Sequence, residues 1–172
     1  MTYSLLVQLT DLHIREPGRL AYGRIDTAPY LKRAVQGVLR LRQAPDAVVI
    51  TGDLSDFGRA AEYAHMAELL APLTMPIYLM PGNHDDRDQL RRSFPTHSYL
   101  GDAGSFVQYS VKVGGLRLLT LDTCVPGHSH GTLDAERLDW LAAQLDACSH
   151  EPVVIAMHHP PFRTLIGHMD DI

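Results

Sequence analysis

The chain is short of several things that would have settled its class at once. Only two of its 172 residues are cysteine, Cys124 and Cys148, far apart in sequence. That excludes a disulfide framework and a thiolate zinc site, and suits buried free thiols in a reducing compartment. Positive charge is not in excess: the formal net charge is −5 with a pI near 6.0. A surface that coats a nucleic-acid polymer or an anionic membrane needs a basic patch, so neither partner is expected. No apolar run approaches the roughly 20 residues of a membrane helix. Met1-Thr2-Tyr3-Ser4 carries no basic segment of the kind that opens a secretory signal. A cytoplasmic protein is the expectation.

What is present fits one globular domain over residues 1–172, with 45% hydrophobic and 20% charged residues. The apolar runs are short and end alike. Residues 5–9 lead into Asp11 and His13, 48–50 into Asp53, 77–80 into Asn83 and His84, 118–121 into Asp122, and 153–157 into His158 and His159. Each run reads as a strand and each ending as a turn, because Gly52, Pro81-Gly82 and Pro160-Pro161 interrupt the chain there. Between them lie helical patterns at 60–70 and after Thr27-Ala28-Pro29, where Leu31, Val35, Val38, Leu39 and Arg42 keep one face. A short helix is expected at 87–92. Alternating strands and helices imply an α/β fold with parallel strands, whose carboxyl ends line one crevice.

From Ser105 the pattern changes. Gly114-Gly115 separates two β-rich runs and predicts a hairpin. After a loop at 125–131 comes a helix on which Leu138, Leu141, Ala142 and Leu145 share a face, with Trp140 off it. The last run, 152–157, is nearly all apolar and predicts a strand covered on both sides.

Carboxylate, amide-oxygen and imidazole donors gathered at strand ends suit divalent cations. The expected ligands are Asp11 and His13 for one ion and Asn83 and His158 for a second, with Asp53 bridging from its tight Gly-Asp turn. Two such ions supply positive charge and can bring a bound water to ionise near neutral pH. Taken singly, Asp11, Asp53 and Asn83 also suit caps and turns, and His13 and His158 suit a core. Their joint placement after strands favours the metal centre. Asp122 reads as a structural hydrogen-bonding residue. His128 and His130 fit either solvated loop positions or contacts to a nucleotide or leaving group. His65, His97, His150 and His168 read as ordinary surface or boundary residues. No Gly-x-Ser-x-Gly elbow occurs and neither cysteine sits in a glycine turn, so serine or cysteine hydrolase chemistry finds no support.

Asp11-Leu12-His13, Gly52-Asp53, Gly82-Asn83-His84-Asp85 and His158-His159-Pro160-Pro161 resemble, in order and context, the signature blocks of the calcineurin-like metallophosphoesterases. With Tyr22-Gly23, Leu121-Asp122-Thr123 and 126–131 added, the chain looks like the bacterial class III cyclic nucleotide phosphodiesterases within them. The resemblance implies an αββα sandwich and two divalent metal ions, iron, manganese or zinc. It makes His158 the ligand of the paired histidines and puts His84 on the substrate phosphate or leaving oxygen. Asp53 and His84 are then the catalytic pair, His13, Asn83, His84 and His130 face the substrate, and the protein is a dimer. The substrate it implies is a small phosphodiester, foremost a 3′,5′-cyclic nucleotide such as cAMP, with glycerophosphodiesters second. The family pattern continues to another strand and a Gly-His-x-His block, which Gly167-His168 does not match. The chain is therefore expected to lack two histidine ligands and the second half of the sandwich. A shortened, catalytically impaired half-domain that binds metal weakly is the competing expectation.

Overall fold

The computed structural model describes residues 3–102 and 105–170, except the side chains of His168 and Met169. The expectations for Met1-Thr2 and for the His168 side chain lie outside the described residues. Three parallel strands form the first sheet in the order β1 (Leu6–Leu9), β2 (Ala47–Thr51), β3 (Ile77–Met80). They are joined by α1 (Ala28–Leu39) and α2 (Ala60–Leu70), and α3 (Arg87–Ser93) follows β3. Val-Val-Ile-Thr makes β2 stiff and apolar, and every residue of it is buried. Local chemistry sets the helix starts. Pro29 enters α1 in its first turn. Glu62 reaches back to the amides of Phe57 and Arg59 to start α2, and Asp86 accepts from the Gln89 amide to cap α3. Leu39 is largely exposed and α1 stops there, so Leu39 and Arg42 lie off the buried face formed by Leu31, Val35 and Val38.

A second sheet has the order β4 (Tyr109–Val113), β5 (Leu116–Leu121), β6 (Val153–Met157). β4 and β5 are the antiparallel hairpin that Gly114-Gly115 predicts, and β6 runs parallel to β5. The expectation that this half of the sandwich is missing is thus corrected: the hairpin and β6 build a second sheet. The alternation of β2 serves both layers. Val48 and Ile50 pack with Leu31, Val35, Tyr63, Met66 and Leu90 towards the helices, whereas Ala47 and Val49 meet Val113, Leu118 and Ala156 between the sheets. Helix α4 (Ala135–Ala147) lies against β5, which gives the αββα order. Among the described residues a one-turn helix, α5 (Gly167–Asp170), comes last, and no helix is long and apolar enough to cross a membrane.

Two expectations fail on the second sheet. β6 is not covered on both sides: Val154 and Ile155 are 39% and 41% exposed. Among the described residues β6 pairs with β5 alone and β1 with β2 alone. A cleft of about 670 Å³ therefore opens along their free edges, lined by Leu6, Val49, Leu116, Ile155 and Phe162. In α4 the stripe of Leu138, Ala142 and Leu145 is exposed, and Arg137 is the fully buried residue with Trp140 and Leu141 half-buried. The Arg137 guanidinium donates to the Asp122 and Cys124 carbonyls at 3.1 and 3.4 Å, so hydrogen bonding at the sheet rim, not apolar count, turns the helix.

Candidate metal centre

The strand ends that carry the polar residues leave the sheets on strained backbone. Among the described residues, the non-glycine positions with positive φ are Asp11 (54°), His13 (43°), Tyr22 (52°), Asp53 (49°) and Leu165 (63°), and all but Leu165 lie at one rim. Such conformations cost of order 1 kcal/mol or more each and persist where surrounding contacts fix them. Here the fixing contacts are backbone bonds between β1's end and β2's end: Asp11 N to Gly52 O at 3.1 Å, His13 N to Asp53 O at 2.9 Å and Ile14 N to Leu54 O at 3.1 Å. Gly52 and Gly82 are required by close approach, because a Cβ at Gly52 would strike the His158 ring and one at Gly82 would overlap Asp53.

Asp53 is 4% exposed and stands between two imidazoles. Its Oδ2 lies 3.4 Å from His13 Nε2 and its Oδ1 lies 3.4 Å from His158 Nε2; Oδ1 also accepts from the His84 amide at 3.0 Å. Two groups of donors within 4.8 Å of one another share it, His13, Asp53 and His84 in one and Asp11, Asp53 and His158 in the other. Asn83 Oδ1 sits 3.3 Å from His158 Nε2. His158 Nδ1 donates to the Thr51 carbonyl at 2.9 Å, which leaves the Nε2 lone pair facing Asp53 and Asn83. The ring orientation is that of a ligating histidine fixed by its outer hydrogen bond. Carboxylates, imidazoles and an amide oxygen at these separations fit divalent cations.

His84 is aimed in the same way. Its Nδ1 donates to the Asp56 carbonyl at 2.9 Å, its ring meets His13 edge-on at 4.7 Å, and it remains part-exposed. The Tyr22 hydroxyl closes over His13 at 3.1 Å from Nε2. Burial pushes the Tyr22 hydroxyl's pKa above its ordinary value, and the carboxylates of Asp53, Asp56 and Asp11 add to the shift. It is held as a neutral phenol.

Asp11, His13, Asp53, Asn83, His84 and His158 are thus together. His130 is not among them: it lies on the loop 125–131, ring against His128 at 5.1 Å, beside a separate cavity with His159 and Phe162. That loop is tied down by His159, whose Nε2 meets the Ser129 carbonyl at 3.1 Å and whose Nδ1 accepts from the Thr123 hydroxyl at 2.7 Å. Residues without an assigned role in the sequence support the centre from behind. Asp56, 2% exposed, faces His13 Nδ1 at 3.5 Å and pairs with Arg15 at 3.2 Å, and Arg15 also meets buried Glu62 at 2.8 Å. Asp85 is half-buried and its carboxylate accepts from the amides of Gly82, Leu54 and Ser55 and the hydroxyls of Ser55 and Tyr63. Burial nonetheless holds its pKa above the ordinary carboxylate value. It clamps the turn after β3 to the turn after β2. The signal for Asp56 was its place three residues beyond Asp53; nothing local marks Arg15.

The sequence profile of the calcineurin-like phosphoesterases matches residues 5–171. The chain is 36% identical over 172 residues to the glycerophosphodiester phosphodiesterase GpdQ of Enterobacter lignolyticus, covering 98% of this chain and 61% of that protein. It is 34% identical over 168 residues to a cAMP/cGMP dual specificity phosphodiesterase of Mycobacterium tuberculosis, covering 94% and 51%. With 3′,5′-cyclic adenosine monophosphate phosphodiesterase CpdA of Pseudomonas aeruginosa it shares 32% over 169 residues, 98% of this chain and 59% of that one. The chain therefore spans between about half and three fifths of these relatives. Among solved structures, a phosphopantetheinyl hydrolase from Mycobacterium tuberculosis superposes with a TM-score of 0.57 at 14% identity, over 98% of this chain and 74% of that one, a likeness of fold.

Proposed function

The chain belongs to the calcineurin-like phosphoesterase family, and from that membership and the geometry of its rim we propose that it hydrolyses a small phosphodiester with two divalent metal ions. One observation carries this reading: the two oxygens of Asp53 face two different histidines, each at 3.4 Å, as a carboxylate shared between two ions would. In this assignment Asp11 and His13 complete one ion's ligands, Asn83 and His158 the other's. Iron, manganese and zinc all suit such donors. When bound, the ions supply neutralising charge to the phosphate and lower the pKa of a water.

The chain's own residues do the rest. Asp53 and Asp11 place the ions, and Asn83 ligates without adding negative charge, which leaves the centre attractive to an anion in an otherwise acidic protein. His84, its Nδ1 committed to the Asp56 carbonyl, presents Nε2 to the substrate. With both ring nitrogens protonated, it donates from Nε2 to a non-bridging oxygen or passes that proton to the departing alkoxide, a contribution typically of about 10²–10⁴ in rate. His13 and Asn83 border the phosphate, whereas His130, beside its separate cavity, takes no part in this assignment.

The finer reading is a cyclic nucleotide phosphodiesterase that opens cAMP to the 5′-monophosphate, in the cytoplasm, with a homodimer as its assembly. Its cyclic nucleotide substrate is supported by the names of the Mycobacterium and Pseudomonas relatives. A glycerophosphodiesterase is the second reading, favoured by the 36% identity to GpdQ. The deciding experiment is turnover of a generic aryl phosphodiester in Mn²⁺ with Asp53→Asn as the blank, followed by cAMP and glycerophosphodiesters. Turnover abolished by the substitution, with cAMP preferred, is the expected result. A chain that turns over no diester and binds Mn²⁺ weakly would instead be the impaired half-domain.

A further inference from the structure

A cavity of about 300 Å³ adjoins Asn83. Its lining joins Asn83 and Arg87, which follow β3 of the first sheet, with Cys124, Pro126 and Gly127, which follow β5 of the second, and Phe106. Arg87 links the two segments. It directly follows Asn83-His84-Asp85-Asp86. Its Nε donates to Asp122 Oδ2 at 2.6 Å, and its Nη2 donates to Asp122 Oδ1 and to the Cys124 carbonyl, both at 2.8 Å. Asp122 is fully buried at the end of β5 and also accepts from the amides of Val107 at 2.9 Å and Cys124 at 3.0 Å. It cannot swing to follow a displaced partner. Arg137 fastens the same two residues through their carbonyls, and the guanidinium groups of Arg87 and Arg137 both stack on Phe106. A bidentate guanidinium–carboxylate pair fixes distance and orientation together, which a single point contact does not.

We propose that Arg87 is a positioning residue: through Asp122 and Cys124 it fixes the spacing between the Asn83-His84 turn of the first sheet and the loop 124–131 of the second, and so sets the width of the cavity that receives the alcohol half of the substrate. What fills the cavity rests on the diesterase reading; the spacing does not. The pair is distinct from the ligand clusters, since neither residue is a donor in them. It joins a local turn to a strand end 35 residues away.

The test compares the unaltered chain with Arg87→Gln and Arg87→Lys. Amide hydrogen exchange is measured on the metal-free protein, then KM and kcat in Mn²⁺ on methyl aryl and bis-aryl phosphodiesters. In Arg87→Gln the amides of 83–86 and of 124–128 should exchange together, roughly tenfold or more faster, while those of 11–13 and 52–54 hold. KM for the bis-aryl diester should rise several-fold, with kcat and the methyl ester affected less. Lysine keeps the charge but loses the fork, so Arg87→Lys should fall between. If Arg87→Gln loses protection throughout the chain, Arg87→Lys carries the comparison. Faster exchange confined to α3, or to one of the two segments alone, would overturn the proposal. Failure of the diesterase reading would show separately, as turnover insensitive to Asp53→Asn, and would leave the exchange result standing.

Discussion

Strands β2 and β6 are close in composition, Ala-Val-Val-Ile-Thr against Val-Val-Ile-Ala-Met, and each runs parallel to a neighbour and leads within two residues to a member of the candidate metal centre, Asp53 or His158. Their surroundings differ. β2 has a strand on either side, helices over one face and the second sheet over the other, and nothing of it is exposed. β6 has one neighbour and an open cleft. The strained turn after β2, carrying Asp53, is held by Gly52, Gly82 and the fully bonded Asp85, whereas His158 after β6 is steadied by leaning across to Thr51 and Asn83 of the first sheet. The first sheet thus builds the centre and the second is fitted to it. An apolar run encodes what can be buried; topology decides whether it is.

On the proposed two-ion assignment, substitution of Asp53 and of His158 should expose this asymmetry most strongly. Asp53 belongs to both donor groups and His158 to one. Asp53→Asn should lower diester turnover by at least about a thousandfold and cut bound manganese from two ions per chain, while His158→Asn should cost roughly ten- to a hundredfold and leave one ion in place. Metal analysis beside kinetics checks it; equal losses would mean that the two sheets contribute alike. Next comes His84→Ala. It should lower kcat by about 10²–10⁴ while both ions stay bound. A fall in metal content would move His84 from substrate contact to ligand, a role its place beside His13 and Asp53 also permits.

The same contrast should appear in stability without any metal. Ile50 and Ile155 occupy comparable places on β2 and β6, but the first is fully buried and the second 41% exposed. Ile50→Ala should cost about 2–5 kcal/mol. For Ile155→Ala about 1 kcal/mol or less is expected, since much of its side chain already meets water. Urea unfolding of the two variants decides it, and similar losses would show that the cleft beside β6 is closed in solution.

What the sequence disclosed follows the same division. The strands at 47–51 and 77–80, the helix at 60–70 and the polar endings were legible because their determinants are local: β-branched runs, Pro-Gly and Gly-Asp turns, an acidic cap. Asp11, His13, Asp53, Asn83, His84 and His158 could be named for that reason. Asp122 could be named as a hydrogen-bonding residue and Asp56 stands three residues beyond Asp53, but Arg15 and Arg87 could not be read as their partners, because the pairs span 41 and 35 residues and no spacing rule relates them. In α4 the local rule misled. An apolar stripe at 138, 141, 142 and 145 predicted the inward face, yet the carbonyls of Asp122 and Cys124 need donors, and Arg137 supplies them by turning Leu138 and Leu145 outward. Unsatisfied buried carbonyls are costly enough to outweigh two leucines left partly wet.

The smallest effect concerns acid. On the first-sheet side, His97 packs against Phe94 with ring centroids 5.3 Å apart, and its Nδ1 lies 2.7 Å from the Tyr99 hydroxyl, which also serves the backbone of β3. Burial holds its pKa below the ordinary histidine value. The unfolded chain therefore takes up this proton first as pH falls through about 6.5. The stability due to neutral His97 is complete above that pH and is lost on the way down to the folded-state pKa. His97→Asn should flatten this part of the curve, so that unfolding free energies at pH 7.5 and pH 5.5 differ less than in the unaltered chain. Groups that the substitution does not touch shape both curves alike in this window. An unchanged difference would place the acid-sensitive contact elsewhere, and the second-sheet loop, where desolvation also holds the half-buried His159 below the ordinary histidine value, would be the region to substitute next.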